Sequence, residues 1–120
     1  MELKQYQWAV VLINFDPAIG SEQAGTRPAI IISQEYINTA LGTVTVVPLT
    51  SKKPGRHIYP NEVLVPEGTA RLKKDSIALG HQIRSVAKAR LRTCYGYIES
   101  YQIKESIQKS LQDHLDLPSC

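Results

Sequence analysis

From Trp8 to about Ile98 the chain offers one Val- and Ile-rich stretch after another, each cut off by Gly, Pro or Asn, with no long helical segment between them. Stretches of this kind read as strands. Parallel pairing would need crossover connections of about a dozen residues or more, usually helical, and the sequence provides none. The sheet must therefore be antiparallel. Candidate strands are Trp8–Phe15, Ala29–Ser33, Thr43–Leu49, Glu62–Val65 and Ser76–Leu79, with Gln82–Val86 as a further candidate and a short strand near Tyr95–Ile98. Both alternating sets of Trp8–Phe15 are apolar, which predicts a strand covered on both faces. Thr43–Leu49 alternates more cleanly, and Pro48 marks its end as an edge or a bulge. Loops are expected at Asp16–Thr26, Gln34–Gly42, Ser51–Pro60 and Pro66–Lys74, and a helical turn within Ser85–Leu91.

The tail differs in kind. Ile103, Ile107, Leu111 and Leu115 recur every four residues among Gln, Lys, Asp and His, which makes one apolar stripe on an amphipathic helix. Ser100 suits its N-cap and Pro118 its stop. The economical architecture is a mainly β, strongly bent antiparallel sheet or half-open barrel, with the terminal helix over one face. At 120 residues, and with no repeats or linkers, residues 1–120 form a single domain.

Composition narrows the function classes. Apolar residues make up 42% of the chain, enough for a folded core, but no apolar run nears the ~20 residues that span a bilayer. Met1-Glu-Leu-Lys lacks a charged-then-greasy leader pattern, so a cytoplasmic protein with no membrane partner is expected. Cys94 and Cys120 read as one packed or half-exposed thiol and one loose terminal thiol. No CxxC, HxxxH or carboxylate cluster has ligand spacing, so neither a metal nor another cofactor is implied. Net charge is only +3, yet residues 51–93 hold ten bases against three acids. A basic middle in a nearly neutral chain suits either a polyanion or an acidic partner, or simply well-solvated loops.

Three places could carry chemistry. Arg27 opens the strand Ala29–Ser33 after a loop containing Gly20 and Gly25. It could be a plain surface partner of Glu22 or Asp16, or a fork that grips a phosphate through two parallel hydrogen bonds. Thr50-Ser51 ends Thr43–Leu49; if that strand lies antiparallel beside Ala29–Ser33, Arg27 and Thr50 meet at one rim. A hydroxyl there is either a loop cap or a donor to a developing oxyanion. Gly80 interrupts a strand pattern, as at a bulge or a close backbone approach. His81 and Gln82 follow it, and the imidazole is either a corner hydrogen-bonding group or a proton carrier. His114, on the tail helix, receives no role.

Phe15-Asp16-Pro17, then Gly20-Ser21-Glu22-Gln23-Ala24-Gly25-Thr26-Arg27-Pro28-Ala29, resembles the first signature of the MazF/PemK family of toxin endoribonucleases nearly residue for residue. Val46-Val47-Pro48-Leu49-Thr50-Ser51 is similar to the second signature. Asp75-Ser76-Ile77-Ala78-Leu79 with Gln82-Ile83-Arg84 is similar to the third. The similarity runs down nearly the whole chain to the closing helix. It implies an SH3-like barrel, acting as a homodimer, that cuts single-stranded RNA without a metal. It also implies a small acidic antitoxin whose disordered tail folds along the dimer groove. Carried over residue by residue, the catalytic set is Arg27, Thr50 and Glu22. His81 occupies the position before the third-motif glutamine, where some members use an aspartate as acid/base group, and joins that set. Gln23, Ser51, Lys52, Lys53, Arg56, His57, Gln82 and Arg84 are expected to bind RNA, with Tyr59 either stacking on a base or merely packing. Tyr6-Gln7 replaces the family's usual Gly-Asp or Gly-Glu pair, a change of turn chemistry.

The implied reaction is attack of a ribose 2′-hydroxyl on its neighbouring phosphorus, leaving a cyclic phosphate and a 5′-hydroxyl. DNA, lacking that hydroxyl, binds without being cut. Two other classes fit the residues. One is a non-catalytic SH3-like barrel toxin that inhibits a protein target such as gyrase. The other is an inert nucleic-acid-binding barrel.

Overall fold

A computed structural model describes residues 2–118. Seven strands form one antiparallel sheet: β1 (Ala9–Asn14), β2 (Thr26–Ile31), β3 (Thr43–Ser51), β4 (Glu62–Val65), β5 (Ser76–Leu79), β6 (Arg84–Ala87) and β7 (Leu91–Tyr97). Two helices, α1 (Glu35–Ala40) and α2 (Tyr101–Leu115), complete the chain. Strand order is β4-β5-β3-β2-β1-β7, with β6 also on β3. The two ends of that path do not pair, so the sheet is bent but unclosed, as the strand pattern predicts.

Side-chain alternation divides the interior into two clusters. Trp8, Val10, Ile30, Val47 and Leu49 point into one, together with Val63, Val65 and Ile107 of α2. Ala9, Val11, Ile13, Phe15, Ala29, Ile31, Val44 and Val46 point into the other. Strand β1 therefore feeds both faces, as its unbroken apolar run requires.

Strand β3 is the centre of the fold rather than an edge. Its first half pairs with β6, Thr43↔Ala87 through Val46↔Arg84, and its second half with β5, Leu49↔Ala78 through Ser51↔Ser76. Pro48 falls in the gap between these two ladders while facing Ala29 of β2 on the other side. A residue without an N–H is tolerated in a central strand at that one place, because neither ladder requires it as a donor there.

Elsewhere the sequence pattern and the fold part ways. The stretch read as a loop over Gln34–Gly42 contains α1. That helix shows no apolar stripe, because it is held by polar groups: the Glu35 carboxylate accepts from the Tyr6 and Gln7 N–H groups at 2.8–3.0 Å, and buried Asn38 donates to the Ser33 carbonyl at 2.7 Å. Burial would raise the Glu35 pKa, but these backbone donors, Asn38 and nearby Lys88 together lower it. Within Gln82–Val86, a 3-10 turn at Gly80–Gln82 precedes β6. The helical turn expected in Ser85–Leu91 is the 3-10 turn Lys88–Arg90, and β7 runs longer than the strand read near Tyr95–Ile98.

In α2, Ser100 caps as expected, its hydroxyl accepting from the Ile103 N–H at 3.3 Å. Ile107 is fully buried but Leu115 is 48% exposed. A strict four-residue repeat precesses by roughly 40° per step around a helix of 3.6 residues per turn, so the fourth member has turned off the buried face. The helix closes at Asp116, which adopts φ 54°, before Pro118 is reached. Cys94 is a half-buried free thiol; Cys120 lies outside the described residues. No helix among the described residues is long and apolar enough to cross a membrane.

Two contacts fix the β3–β4 loop and the turn after β5. Gly80 is a close approach: a Cβ there would stand 2.7 Å from the Asn61 carbonyl oxygen and 3.2 Å from the Ser110 hydroxyl of α2. Across the β3–β4 loop, the Arg56 guanidinium grips Glu62 bidentately, Nη1–Oε1 at 2.7 Å and Nη2–Oε2 at 2.9 Å, and the Tyr59 N–H adds a third donor at 3.0 Å. The hydrogen bond from Arg56 outweighs the burial of Glu62 and holds its carboxyl below the usual carboxylate range.

Gly80→Ala should lower stability by about 1–3 kcal/mol through overpacking against backbone, read as a lowered thermal midpoint; an unchanged melt would contradict the contact. Glu62→Gln tests the ion pair. A depressed folded-state pKa contributes stability above the unfolded value of about 4.5, and that contribution vanishes as pH falls through the folded-state value. The variant should therefore be less stable than wild type at neutral pH, with the gap in denaturant midpoint closing in acid.

Candidate active site

The β2–β3 register decides whether the two ends of the candidate site meet. Ala29 faces Pro48, Ile30 faces Val47 and Ile31 faces Val46. The ladder ends at Ala29↔Pro48; extended two residues past it, the same register would align Arg27 with Thr50. Side chains two apart share a sheet face. Arg27 thus lies on the face of Ala29 and Ile31, and Thr50 on that of Val44 and Val46, which is the same face. Arg84, opposite Val46, belongs to that face too, and its guanidinium carbon stacks 5.6 Å over the Phe15 ring.

The β1–β2 loop is tied down rather than loose. Gly20 (φ 59°) and Gly25 (φ 80°) supply left-handed corners that other residues resist. Asp16 Oδ1 accepts from the Gly25 N–H at 2.9 Å, and Arg90 Nη1 donates to the Asn14 and Asp16 carbonyls at 3.1 and 2.7 Å. Gln82, expected at the RNA surface, spends its amide on this loop. Its oxygen accepts from the Gln23 N–H at 3.2 Å and its nitrogen donates to the Ser21 carbonyl at 3.1 Å.

The tethered loop orients Arg27. Its Nε donates to the Ala24 carbonyl at 2.7 Å. With the Gln23 amide oxygen turned toward it, Nη1 donates there at 3.2 Å. Among the described residues nothing accepts from Nη2, which stays available for an anion. Glu22 is partly committed: Oε1 accepts from the Ile19 N–H at 3.2 Å and Oε2 lies 3.7 Å from Arg84 Nη1. That Nη1 is buried with no hydrogen-bond acceptor, an uncommon condition for a charged donor.

A cavity of about 820 Å³ adjoins the loop. Thr50, Ser51, His81, Gln82 and Gln23 line one part of it, and Lys53, Arg56 and Tyr59 another. Arg27 is not among the lining residues, although Gln23, the acceptor for its Nη1, is. Glu22, Lys52, His57 and Arg84 lie outside the lining. His57 packs edge-on against Tyr59 with centroids 4.6 Å apart, and the Lys52 N–H donates to the Asp75 carbonyl at 2.8 Å. Four lining residues escape a reading of the sequence: Ser21, Asn61, Glu62 and Leu79. A carboxylate six residues after an arginine gives no local cue that the two will pair, so Glu62 could not be found from spacing. Asn61 could have been, through Gly80, whose lack of a side chain announces a backbone neighbour. Among the described residues no three His, Cys, Asp or Glu side chains are grouped to hold a metal ion.

Chemically, the hollow gathers a hydroxyl pair and an imidazole, and the half-free Arg27 guanidinium is held by Gln23, one of its lining residues. That set can grip a phosphodiester, stabilise charge on its oxygens and move a proton.

Comparison with known proteins points the same way. Residues 6–115 match the family described as PemK-like, MazF-like toxin of type II toxin-antitoxin system. The chain is 36% identical over 110 residues to the endoribonuclease MazF9 of Mycobacterium tuberculosis, covering 88% of this chain and 91% of that protein. It is 34% identical over 96 residues to the endoribonuclease toxin MazF of Escherichia coli, covering 79% and 80%. Among solved structures, MazF of Deinococcus radiodurans superposes with a TM-score of 0.79 at 26% identity, over 96% of this chain and 99% of that one. With an unclosed antiparallel sheet and a family match over residues 6–115, the chain belongs to the PemK-like, MazF-like family of type II toxins.

Proposed function

We propose that this chain is a toxin endoribonuclease that cleaves single-stranded RNA by internal transesterification. The observation that carries the reading is the cavity lined by Gln23, Thr50, Ser51 and His81, beside which the β2–β3 register, extended two residues past Ala29↔Pro48, would bring Arg27. Arg27 neutralises charge that develops on the phosphoryl oxygens as the 2′-hydroxyl attacks, a task for which a preorganised donor is worth several kcal/mol. Thr50 positions the scissile phosphate and Ser51 assists. His81 or Glu22 removes the 2′ proton, and His81 or Arg27 assists the departing 5′ oxygen. Because the nucleophile belongs to the substrate, the chemistry requires orientation and charge stabilisation more than a bound activator. Gln23 orients Arg27, Gln82 positions the loop, and Lys52, Lys53, Arg56, His57 and Arg84 make up the basic surroundings.

The family description names a toxin of a toxin-antitoxin pair, which supports an antitoxin as partner. An acidic peptide complements the basic middle segment and would compete with RNA for it. The active unit is a homodimer, and the site of action is the cytoplasm, where messenger RNA is translated.

Incubation with single-stranded RNA in excess EDTA tests the reading. Wild type should cut, leaving cyclic phosphate ends, and Arg27→Ala should be slower by about 10²–10³-fold with its fold intact. Intact RNA that is still bound would indicate an inert binder; absence of both cutting and binding would redirect attention to a protein target.

A further inference from the structure

A smaller cavity, about 320 Å³, opens next to the proposed active site. Pro28 and Ser51 form one wall, and Arg71, Lys73 and Lys74 contribute to the other. Ser51 also lines the larger cavity with Thr50 and His81, and Pro28 directly follows Arg27. The two hollows therefore share a wall at the end of β3.

Its charge is one-sided. The lining holds three cations and no carboxylate. Asp75, next in the chain to Lys74, turns its Oδ1 to the Glu67 N–H at 2.8 Å. The ion pairs among the described residues are Arg56–Glu62 and Arg84–Glu22, so none of the three cations is neutralised. Like charges gathered without a counter-charge repel one another, and an anion relieves that repulsion.

The backbone beneath them is not a loose loop. Ala70 (φ 50°) and Arg71 (φ 64°) are successive non-glycine residues in the left-handed region, a strain that persists only where the surroundings impose it and that gathers at ligand clamps. Here the Gly68 N–H donates to the Leu72 carbonyl at 2.8 Å and the Arg71 N–H to the Gly68 carbonyl at 3.3 Å. Gly96 of β7 presses so close that a Cβ there would stand 3.1 Å from the Ala70 carbonyl. Leu72 is buried in the core immediately after Arg71. Arg71 is thus presented from a built corner.

From this juxtaposition we infer that the cavity is a second phosphate subsite for the RNA strand. It takes the phosphodiester of a nucleotide flanking the scissile one, through Arg71, Lys73 and Lys74. The inference rests on the ribonuclease reading of the adjoining cavity. Continuity through Ser51 favours a strand that threads both hollows over a separate acidic peptide.

Because DNA is not cut, binding can be read apart from catalysis. Affinity for a labelled single-stranded DNA oligonucleotide, followed by fluorescence anisotropy over a range of salt concentrations, reports the number of phosphates neutralised. Single strands lose roughly 0.7 in log–log slope per phosphate contact, so R71A/K73A/K74A, which removes one phosphate subsite, should flatten the slope by about 0.7. The charge-keeping R71K/K73R/K74R should retain it, which separates lost charge from lost folding. R92A/K109A, which removes cations elsewhere, should change it by less than half as much. An unchanged slope in the triple alanine variant overturns the inference, as does an equal loss in R92A/K109A. A triple variant that binds DNA normally but loses a poly-glutamate peptide overturns it too, by assigning the cavity to an acidic peptide. None of these outcomes depends on whether Arg27→Ala abolishes cutting, so failure of the subsite and failure of the ribonuclease reading remain distinct.

Discussion

The pairing of β2 with β3 is the constraint on which the site depends, and ordinary alternation does not set it. Where one face of a strand is buried and the other is wet, a one-residue slip is penalised by turning apolar side chains to water. Here both faces are covered: Ala29 and Ile31 feed one cluster while Ile30 feeds the other, and Val46 and Val47 divide in the same way. A slip would exchange clusters rather than expose them. What pins the register is the other edge of β3, shared between β6 up to Val46 and β5 from Leu49, with Pro48 in the one position where a missing donor is harmless. Moving β3 so that Pro48 takes the place of Leu49 would draw it into the β5 ladder.

Once the register is set, the remaining organisation is electrostatic and long-range. Gln82 closes onto residues 59 and 61 positions earlier, and Arg90 onto carbonyls 74 and 76 positions earlier. These bonds hold the β1–β2 loop, which in turn fixes Gln23 and Ala24, which hold one edge of the Arg27 guanidinium. Its other edge makes no hydrogen bond among the described residues. Such an arrangement has its reorganisation completed at folding rather than during reaction, and this is the property that gives fixed donors their catalytic value.

Much of this is legible in the residues. The strand runs, the doubly covered β1, the Ser100 cap and the Gly80 close approach follow from period, propensity and the absence of a side chain. The misses share a cause. Helix α1 is invisible in the pattern because polar groups from Tyr6, Gln7 and Ser33 hold it, and polar partners leave no periodic trace. Leu115 looks equivalent to Ile107 until the turn of the helix carries it off the core. Gln82 lines the cavity, and its amide also ties down the β1–β2 loop, a tether that sequence spacing does not announce.

The sequence by itself determined an antiparallel β protein with one covering helix, since apolar runs of period two without crossover helices admit little else. It also determined which groups could do chemistry: a guanidinium, a hydroxyl pair and an imidazole at particular distances along the chain. Only the tertiary structure decided which charges are free to act. Arg56 and Arg71 are alike as residues, yet one is spent on Glu62 while the other lines a basic hollow that holds no carboxylate. The physical reason is that an ion pair depends on distance through space, set when loops close over the sheet, and sequence spacing carries almost no information about that distance.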